Sequence, residues 1–144
     1  MWIKKPFLEK ARITSPFGER IHPITKKKRS FHTGIDLGLP TGTKIFAPMT
    51  GHFERRIDGK GINKGYGRYC ILKCVTEQNT KVMFIFAHLS KWLVDEDKNV
   101  IQGEPIVLTG NSGSSTASHL HLELRIFDGK DYVPADPTKY INFA

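Results

Sequence analysis

The chain has 144 residues, of which 39% are hydrophobic and 25% are charged, and its formal net charge is +8. This composition is typical of one globular domain with its own core, and it excludes wholesale disorder. No apolar run is long enough to span a bilayer. We expect a single domain over 1–144, with a core at about 13–127, a basic N-terminal segment at 1–12 and a C-terminal extension at 128–144. Residues 1–10 lack the apolar segment and cleavage site of a signal peptide, so we expect none in this chain.

The positive charge is concentrated near the N-terminus. Residues 1–29 contain nine lysines and arginines against two glutamates, whereas the rest of the chain contains 13 basic residues against 12 acidic ones. The cluster peaks at Lys26, Lys27, Lys28 and Arg29. Such a run favours a solvated basic loop, and attraction to a polyanion is the alternative. No nucleic-acid fold signature occurs, so we expect no nucleic-acid partner.

Short strands separated by glycine, proline, asparagine and aspartate turns make up most of the remaining chain. Because they are rich in β-branched and aromatic residues, strands are predicted at Lys44–Ala47, His52–Ile57, Arg68–Thr76, Lys81–His88, Ile106–Thr109 and His119–Phe127. The third and fourth are predicted to pair as an antiparallel hairpin, and Ser90–Val94 is predicted to form one helical turn at most. The pattern indicates an all-β fold: an antiparallel sheet or partly closed, barrel-like sandwich with few or no helices.

Two cysteines, Cys70 and Cys74, lie in one predicted strand. Four residues of strand span about 13 Å, whereas a disulfide needs Cα atoms within about 7 Å. We therefore interpret both as small core residues, and they indicate no redox compartment.

The last predicted strand has two chemically different faces. Side chains alternate along a strand, so His119, His121 and Glu123 share one face. The other face carries the leucines Leu120, Leu122 and Leu124. Two closely spaced histidines are typical of a metal site, and an exposed polar face with incidental histidines is the alternative. Glu123 is interpreted either as a hydrogen-bond acceptor for a histidine or as a solvated residue.

Two further clusters carry candidate ligands. His32 precedes Asp36 by four residues, and the glycine between them, Gly34, permits a tight backbone path that would bring both side chains to one point. A solvated histidine and a turn aspartate would give the same pattern. His88 ends an apolar strand, where a histidine is more often packed or exposed than functional.

Taken together, the three clusters predict a zinc site. Zinc binds imidazole and carboxylate ligands tetrahedrally, and a catalytic site keeps one position for water, whose pKa falls to near 7. His32, Asp36 and either His119 or His121 would supply three ligands. The remaining histidines would move protons or stabilise a developing oxyanion. The H-E-x-x-H helix of many zinc proteases is absent.

An ordered set of motifs resembles the lysostaphin-type (LytM-like) zinc metallopeptidases. The matching segments run from about Ile13 to Phe127 and are Thr14–Pro23, His32–Leu37, Pro40–Thr43, Ala47–Gly51, Gly65–Gly67, Ala87–Ser90, Gly113–Thr116 and His119–Glu123. The resemblance implies a β-sheet fold with an open groove, one Zn²⁺ per chain, and hydrolysis of the peptide cross-links of bacterial peptidoglycan. It also implies action at the cell wall, in a periplasmic, extracellular or phage-associated setting.

The resemblance assigns roles by position. His32 and Asp36 match the first two zinc ligands, and His121 matches the third. His88 and His119 match the two catalytic histidines that do not bind the metal. An anionic wall polymer would be the partner of the cluster Lys26, Lys27, Lys28 and Arg29, and the isolated domain is expected to be a monomer.

The chain departs from the family pattern in two ways. Ala117 and Ser118 replace a Gly-Pro pair before the last histidines, which affects the expected peptide specificity rather than metal binding. Phe86 replaces a tyrosine before Ala87. No metal role carries over to His22, which is expected to be structural or to line the groove. Tyr66 would line the cleft or simply form a turn.

Two other functions compete with hydrolysis. Some members of the family lack part of the metal set and act as binding regulators, so a catalytically silent wall-binding module is one alternative. The segments Ala47–Gly51 and Asn99–Glu104 also suggest a biotinyl or lipoyl carrier barrel. A carrier needs a modified lysine at a hairpin tip, which is missing here, and it would leave the histidines without a role.

Overall fold

The computed structural model describes residues 3–21, 28–113 and 118–144. Its strands are Arg12–Ser15 (β1), Gly18–Ile21 (β2), Lys28–His32 (β3), Ile35–Gly38 (β4), Lys44–Phe46 (β5), Gly51–Ile57 (β6), Arg68–Val75 (β7), Lys81–Ala87 (β8), Leu89–Trp92 (β9), Lys98–Val100 (β10), Pro105–Thr109 (β11), Leu120–Phe127 (β12) and Tyr132–Ala135 (β13). The described helical structure is a single 3-10 turn at Pro137–Lys139. The prediction of an all-β fold is confirmed.

The main sheet follows the order β1-β4-β12-β8-β7-β6-β10, and β13 pairs with the second half of β12. Every described pairing in it is antiparallel. The predicted hairpin forms between β7 and β8. The strand with two faces, β12, lies inside the sheet, between β8 on one side and β4 with β13 on the other. Residues on β4 and β12 are therefore brought side by side.

Two smaller sheets complete the described fold, β5-β11-β9 and the hairpin β2-β3. The prediction of a helical turn at Ser90–Val94 is wrong, because Leu89–Trp92 forms strand β9. Trp92 lies opposite Val107 on β11, and Leu89 is fully buried. Pairing with β11 and burial of an apolar strand face outweigh the weak local helix preference of this segment.

The core lies between the sheets and is built from alternate strand residues. On β12 the three leucines, Leu120, Leu122 and Leu124, are fully buried. Both cysteines are free thiols buried in the same core. The two ends of the chain contribute as well, since Phe7 stacks on Phe143 with ring centroids 6.0 Å apart and Ile141 is buried. The described N-terminal and C-terminal segments thus pack onto the central domain.

Several predicted features lie outside the described residues or side chains. They include His22, the basic residues Lys26 and Lys27, the side chains of Lys28 and Arg29, and residues 114–117 with Ala117. Among the described residues we find no helix of the length and apolar character that a bilayer crossing requires.

Candidate metal centre

Two distant chain segments, 32–36 and β12, meet where β3, β4 and β12 adjoin. His32 ends β3, and Asp36 lies on β4 directly opposite His121 on β12. Gly34, in the turn between β3 and β4, makes this approach possible. A Cβ atom built at Gly34 would lie 2.4 Å from the carbonyl oxygen of Leu122. A side chain at residue 34 would therefore push the first two candidate ligands away from the strand that carries the third.

The three side chains form a compact triangle of donor atoms. Asp36 Oδ1 lies 2.8 Å from His121 Nδ1 and 3.5 Å from His32 Nε2, and the two histidine nitrogens are 3.3 Å apart. Ligands that bind zinc tetrahedrally at about 2.0–2.1 Å are separated from each other by about 3.3 Å. The donor types and their spacing both fit a zinc ion, and this is a candidate metal site that the described residues contain.

The opposite ring nitrogens of both histidines are held by oxygen atoms. His32 Nδ1 lies 2.9 Å from the carbonyl oxygen of Pro16, and since a carbonyl only accepts, the ring donates its N–H there. His121 Nε2 lies 2.8 Å from Glu123 Oε2. Hydrogen bonds of this kind orient metal-binding histidines in proteins. His32 Nε2 and His121 Nδ1 are thereby directed at the shared point.

Two more histidines adjoin the triangle. The rings of His88 and His119 are 4.9 Å apart, and His88 is 6.1 Å from the ring of His121. His119 Nε2 lies 4.0 Å from Asp36 Oδ1. The structure thus brings all five predicted residues together, with His121 closer to Asp36 than His119 is. Their individual roles stay predictions.

His88 is held in an unusual backbone conformation. It lies between β8 and β9 with φ of +64°, a left-handed geometry that costs a residue other than glycine about 1–2 kcal/mol. Its N–H donates to the carbonyl of Tyr66, and its Nδ1 donates to the carbonyl of Ser112 at 2.7 Å. These contacts fix the ring, and strained residues of this kind concentrate at functional sites.

An open cavity of about 300 Å³ adjoins the cluster. It is lined by Asp58, Gly65, Tyr66, His88 and His121. A larger cavity of about 460 Å³ lies near the C-terminus between Ile13 and residues 138–143, away from the histidines. The smaller cavity is the candidate substrate groove, because the candidate ligand His121 and the fixed ring of His88 both line it.

Comparison with known proteins decides the family. The sequence pattern of peptidase family M23 matches residues 30–137, which is most of the chain and includes all five site residues.

The chain belongs to peptidase family M23.

Curated relatives and solved structures agree with this assignment. DD-carboxypeptidase/endopeptidase Mpg of Neisseria meningitidis is 42% identical over 115 residues, 80% of this chain and 24% of that protein. Peptidoglycan DD-endopeptidase ShyA of Vibrio cholerae is 34% identical over 126 residues, 83% of this chain and 26% of that protein. The chain thus spans about a quarter of the length of these relatives.

Two solved structures share the fold. A zinc-containing peptidase from Vibrio cholerae has a TM-score of 0.71 and 27% identity, covering 88% of this chain and 37% of that one. The catalytic domain of lysostaphin from Staphylococcus simulans has a TM-score of 0.70 and 24% identity, covering 90% and 91%. The resemblance to lysostaphin-type metallopeptidases is confirmed at the level of family and fold.

Electrostatic coupling in this M23 site is strong. Burial alone raises the pKa of Asp36, but hydrogen bonds with His121 and His32 outweigh it and hold the pKa well below its usual range. Burial lowers the pKa of His121, but the carboxylates of Asp36 and Glu123 outweigh it and raise that pKa to about 9. At His88 burial dominates and lowers the pKa, so this ring is neutral near pH 7.

Tyr66, Thr33 and Arg125 join the site in ways that sequence reasoning missed or left open. All three donate hydrogen bonds to Glu123, which is fully buried. Glu123 is therefore an acceptor for a histidine rather than a solvated residue. Arg125 lies on the same face of β12 as His121 and Glu123, so strand alternation could have predicted its place beside the site. Nothing local in the sequence indicated that Tyr66, 57 residues away, reaches Glu123.

Proposed function

We propose that this M23 domain is a zinc-dependent endopeptidase that hydrolyses the peptide cross-links of bacterial peptidoglycan. The observation that supports the proposal most is the triangle of His32 Nε2, Asp36 Oδ1 and His121 Nδ1, with sides of 2.8–3.5 Å, beside two further histidines in an open groove. Structural similarity to a zinc-containing peptidase supports the choice of metal.

His32, Asp36 and His121 would hold one zinc ion. Zinc with three protein ligands supplies a Lewis acid that polarises a carbonyl group and makes water nucleophilic near neutral pH. The chain contributes the geometry. Asp36 stays ionised because its pKa is low, and His32 presents Nε2 because its Nδ1 donates to Pro16.

His88 and His119 would handle protons. His88 is neutral near pH 7, and its Nδ1–H is committed to the Ser112 carbonyl, so Nε2 is left as a proton acceptor. That assignment makes His88 the general base. His119, with its ring 4.9 Å away, would stabilise the negative charge that develops on the scissile carbonyl oxygen.

The names of the relatives support the substrate class and the setting. ShyA is named a peptidoglycan DD-endopeptidase, so we place the action of this chain at the cell wall. Residues 1–144 would act as a single, monomeric peptidase domain with its core at about 13–127. The basic cluster Lys26, Lys27, Lys28 and Arg29 would attract anionic wall polymers.

Digestion of purified walls tests the proposal. Walls of several peptide chemotypes are incubated with the zinc-loaded protein, with the protein plus chelator, and with His88→Ala, and released fragments are identified by mass spectrometry. The expected result is new peptide termini with the zinc-loaded protein alone, at a bond that the fragment masses identify. Equal release with and without chelator, or no release from any chemotype, would contradict it.

A further inference from the structure

The buried carboxylate of Glu123 touches a candidate metal ligand without being one. We propose that Glu123 is a positioning residue: it holds His121 in the orientation and tautomer that present Nδ1 to the metal. The inference rests on the metal site of the proposed function, and it concerns a residue two positions along β12 from the ligand.

The two nitrogens of His121 have separate partners. Nδ1 faces the shared point, 2.8 Å from Asp36 Oδ1 and 3.3 Å from His32 Nε2. Nε2 faces Glu123 Oε2 at 2.8 Å. An ionised carboxylate only accepts hydrogen bonds, so Asp36 and Glu123 each favour a proton on the nitrogen that they face. A metal ion at the shared point, with Asp36 as a ligand, would displace the proton from Nδ1, whereas the proton on Nε2 would stay on the bond to Glu123. With the opposite tautomer, a proton would occupy the position that the metal needs.

The two carboxylate oxygens of Glu123 have different hydrogen-bond partners. Oε1 accepts from Arg125 Nε at 2.9 Å and Nη2 at 2.6 Å, which fixes the carboxylate plane. Oε2 accepts from Thr33 Oγ1 at 3.1 Å, from the Tyr66 hydroxyl and from His121. A fully buried carboxylate needs such partners to stay ionised. An ion pair with Arg125 alone would satisfy Oε1, whereas Oε2 is directed at the ligand.

The same network reaches the groove. The ring of Tyr66 stacks on His121, with centroids 5.7 Å apart, and the backbone carbonyl of Tyr66 accepts from the N–H of His88. Glu123 thus holds the edge of the His121 ring by a hydrogen bond, and Tyr66 packs against the face of the same ring. His121 cannot rotate about χ2 without breaking the bond to Glu123.

Zinc affinity, measured by chelator competition, tests the role with a matched control. Glu123→Gln keeps the shape but puts an amide donor against either Arg125 or His121. Glu54→Gln changes another buried glutamate of the same sheet. Glu54 lies on β6, three strands or about 14 Å from β12, and pairs with Arg56 and with Lys73 on β7. We expect Glu123→Gln to lower zinc affinity about 10- to 100-fold and Glu54→Gln to leave it within about twofold of wild type. Equal affinity of wild type and Glu123→Gln would overturn the inference.

A spectroscopic readout on the unaltered chain covers the case in which Glu123→Gln fails to fold. Long-range ¹H–¹⁵N correlation spectra of the zinc-loaded protein report which nitrogen of His121 carries the proton. The expected result is a protonated Nε2 and a metal-bound Nδ1, and the reverse assignment would overturn the inference. Failure of the proposed function is distinguishable, because wild type would then bind no zinc at this site.

Discussion

Asp36 and His121 are register partners on neighbouring antiparallel strands, and Asp36 Oδ1 lies 2.8 Å from His121 Nδ1. Their pairing is set by the backbone ladder between β4 and β12 rather than by a flexible loop. Ligands held on strands keep their spacing without a metal, which is what a preorganised site requires. His32 completes the triangle from the end of β3.

Removing a ligand and removing a proton-handling histidine should have different effects. His121→Ala is expected to abolish zinc binding and hydrolysis together, because it removes one of three protein donors. His88→Ala is expected to retain zinc and lower kcat about a hundredfold or more. Metal content and steady-state kinetics are measured on the same preparations. His52→Ala is the matched control, since His52 is exposed and bonded to Asn99, and it should change neither quantity. Zinc loss in His119→Ala but not in His121→Ala would reverse the ligand assignment.

Gly34 is expected to tolerate no side chain. Gly34→Ala places a Cβ 2.4 Å from the Leu122 carbonyl oxygen and 2.8 Å from Glu123 Cγ, so the turn must move away from β12. We expect a loss of about 1–3 kcal/mol in the free energy of unfolding together with weaker zinc binding, measured by urea denaturation and chelator competition. Gly59→Ala is the control, because a Cβ there meets nothing within 4 Å. Equal stability of the two variants would show that the close approach is not required.

Zinc should stabilise the fold because it binds the folded protein and not the unfolded chain. At a free zinc concentration about 100 times Kd, binding adds about 2.7 kcal/mol, which for a domain of this size raises Tm by roughly 5–10 °C. Thermal unfolding monitored by circular dichroism, with zinc and with chelator, measures the shift. Asp36→Asn should remove it. A shift of the same size in Asp36→Asn would place the stabilising metal elsewhere.

The two buried thiols should be inert in the native protein. Burial raises the pKa of Cys74 to about 12 and shifts the pKa of Cys70 in the same direction, whereas an unfolded cysteine has a pKa near 8.5. The folded state therefore favours the protonated thiols. Stability is unaffected below about pH 8.5 and falls above it, by roughly 2 kcal/mol per thiol at pH 10.

A thiol reagent and urea denaturation check this expectation. At pH 8 we expect both thiols to react in urea and neither to react in buffer. Between pH 8 and pH 10, Cys74→Val should lose less stability than wild type does. Rapid labelling of the native protein at pH 8 would contradict the burial of these residues.

Local patterns were sufficient for the longer strands and for the short strands β5 and β11, and insufficient for the other short strands. The segments that became β7, β8 and β12 have seven or eight residues; β7 and β12 alternate between apolar and polar residues over much of their length, and β8 is a continuous apolar run after Lys81. Strand β10 has three residues, Lys98–Val100, and forms only because β6 offers it hydrogen-bond partners. Strand β9 owes its form to β11 in the same way. Pairing between distant segments is not encoded in local composition.

The sequence predicts which residues belong to the candidate site, but not which of its histidines lies beside Asp36. Strand alternation places His119 and His121 on one face, but spacing alone does not decide which of them approaches Asp36. Register between β4 and β12 brings His121 opposite Asp36. The role of Glu123 was open for a similar reason, because its burial depends on Tyr66, which approaches from a loop between β6 and β7.

X-ray diffraction from zinc-loaded crystals, with anomalous data at the zinc edge, tests the central claim most directly. The account predicts one strong peak in contact with His32 Nε2, Asp36 Oδ1 and His121 Nδ1, each about 2.0–2.1 Å from the ion. A peak elsewhere, or one bound by His119 in place of His121, would contradict it.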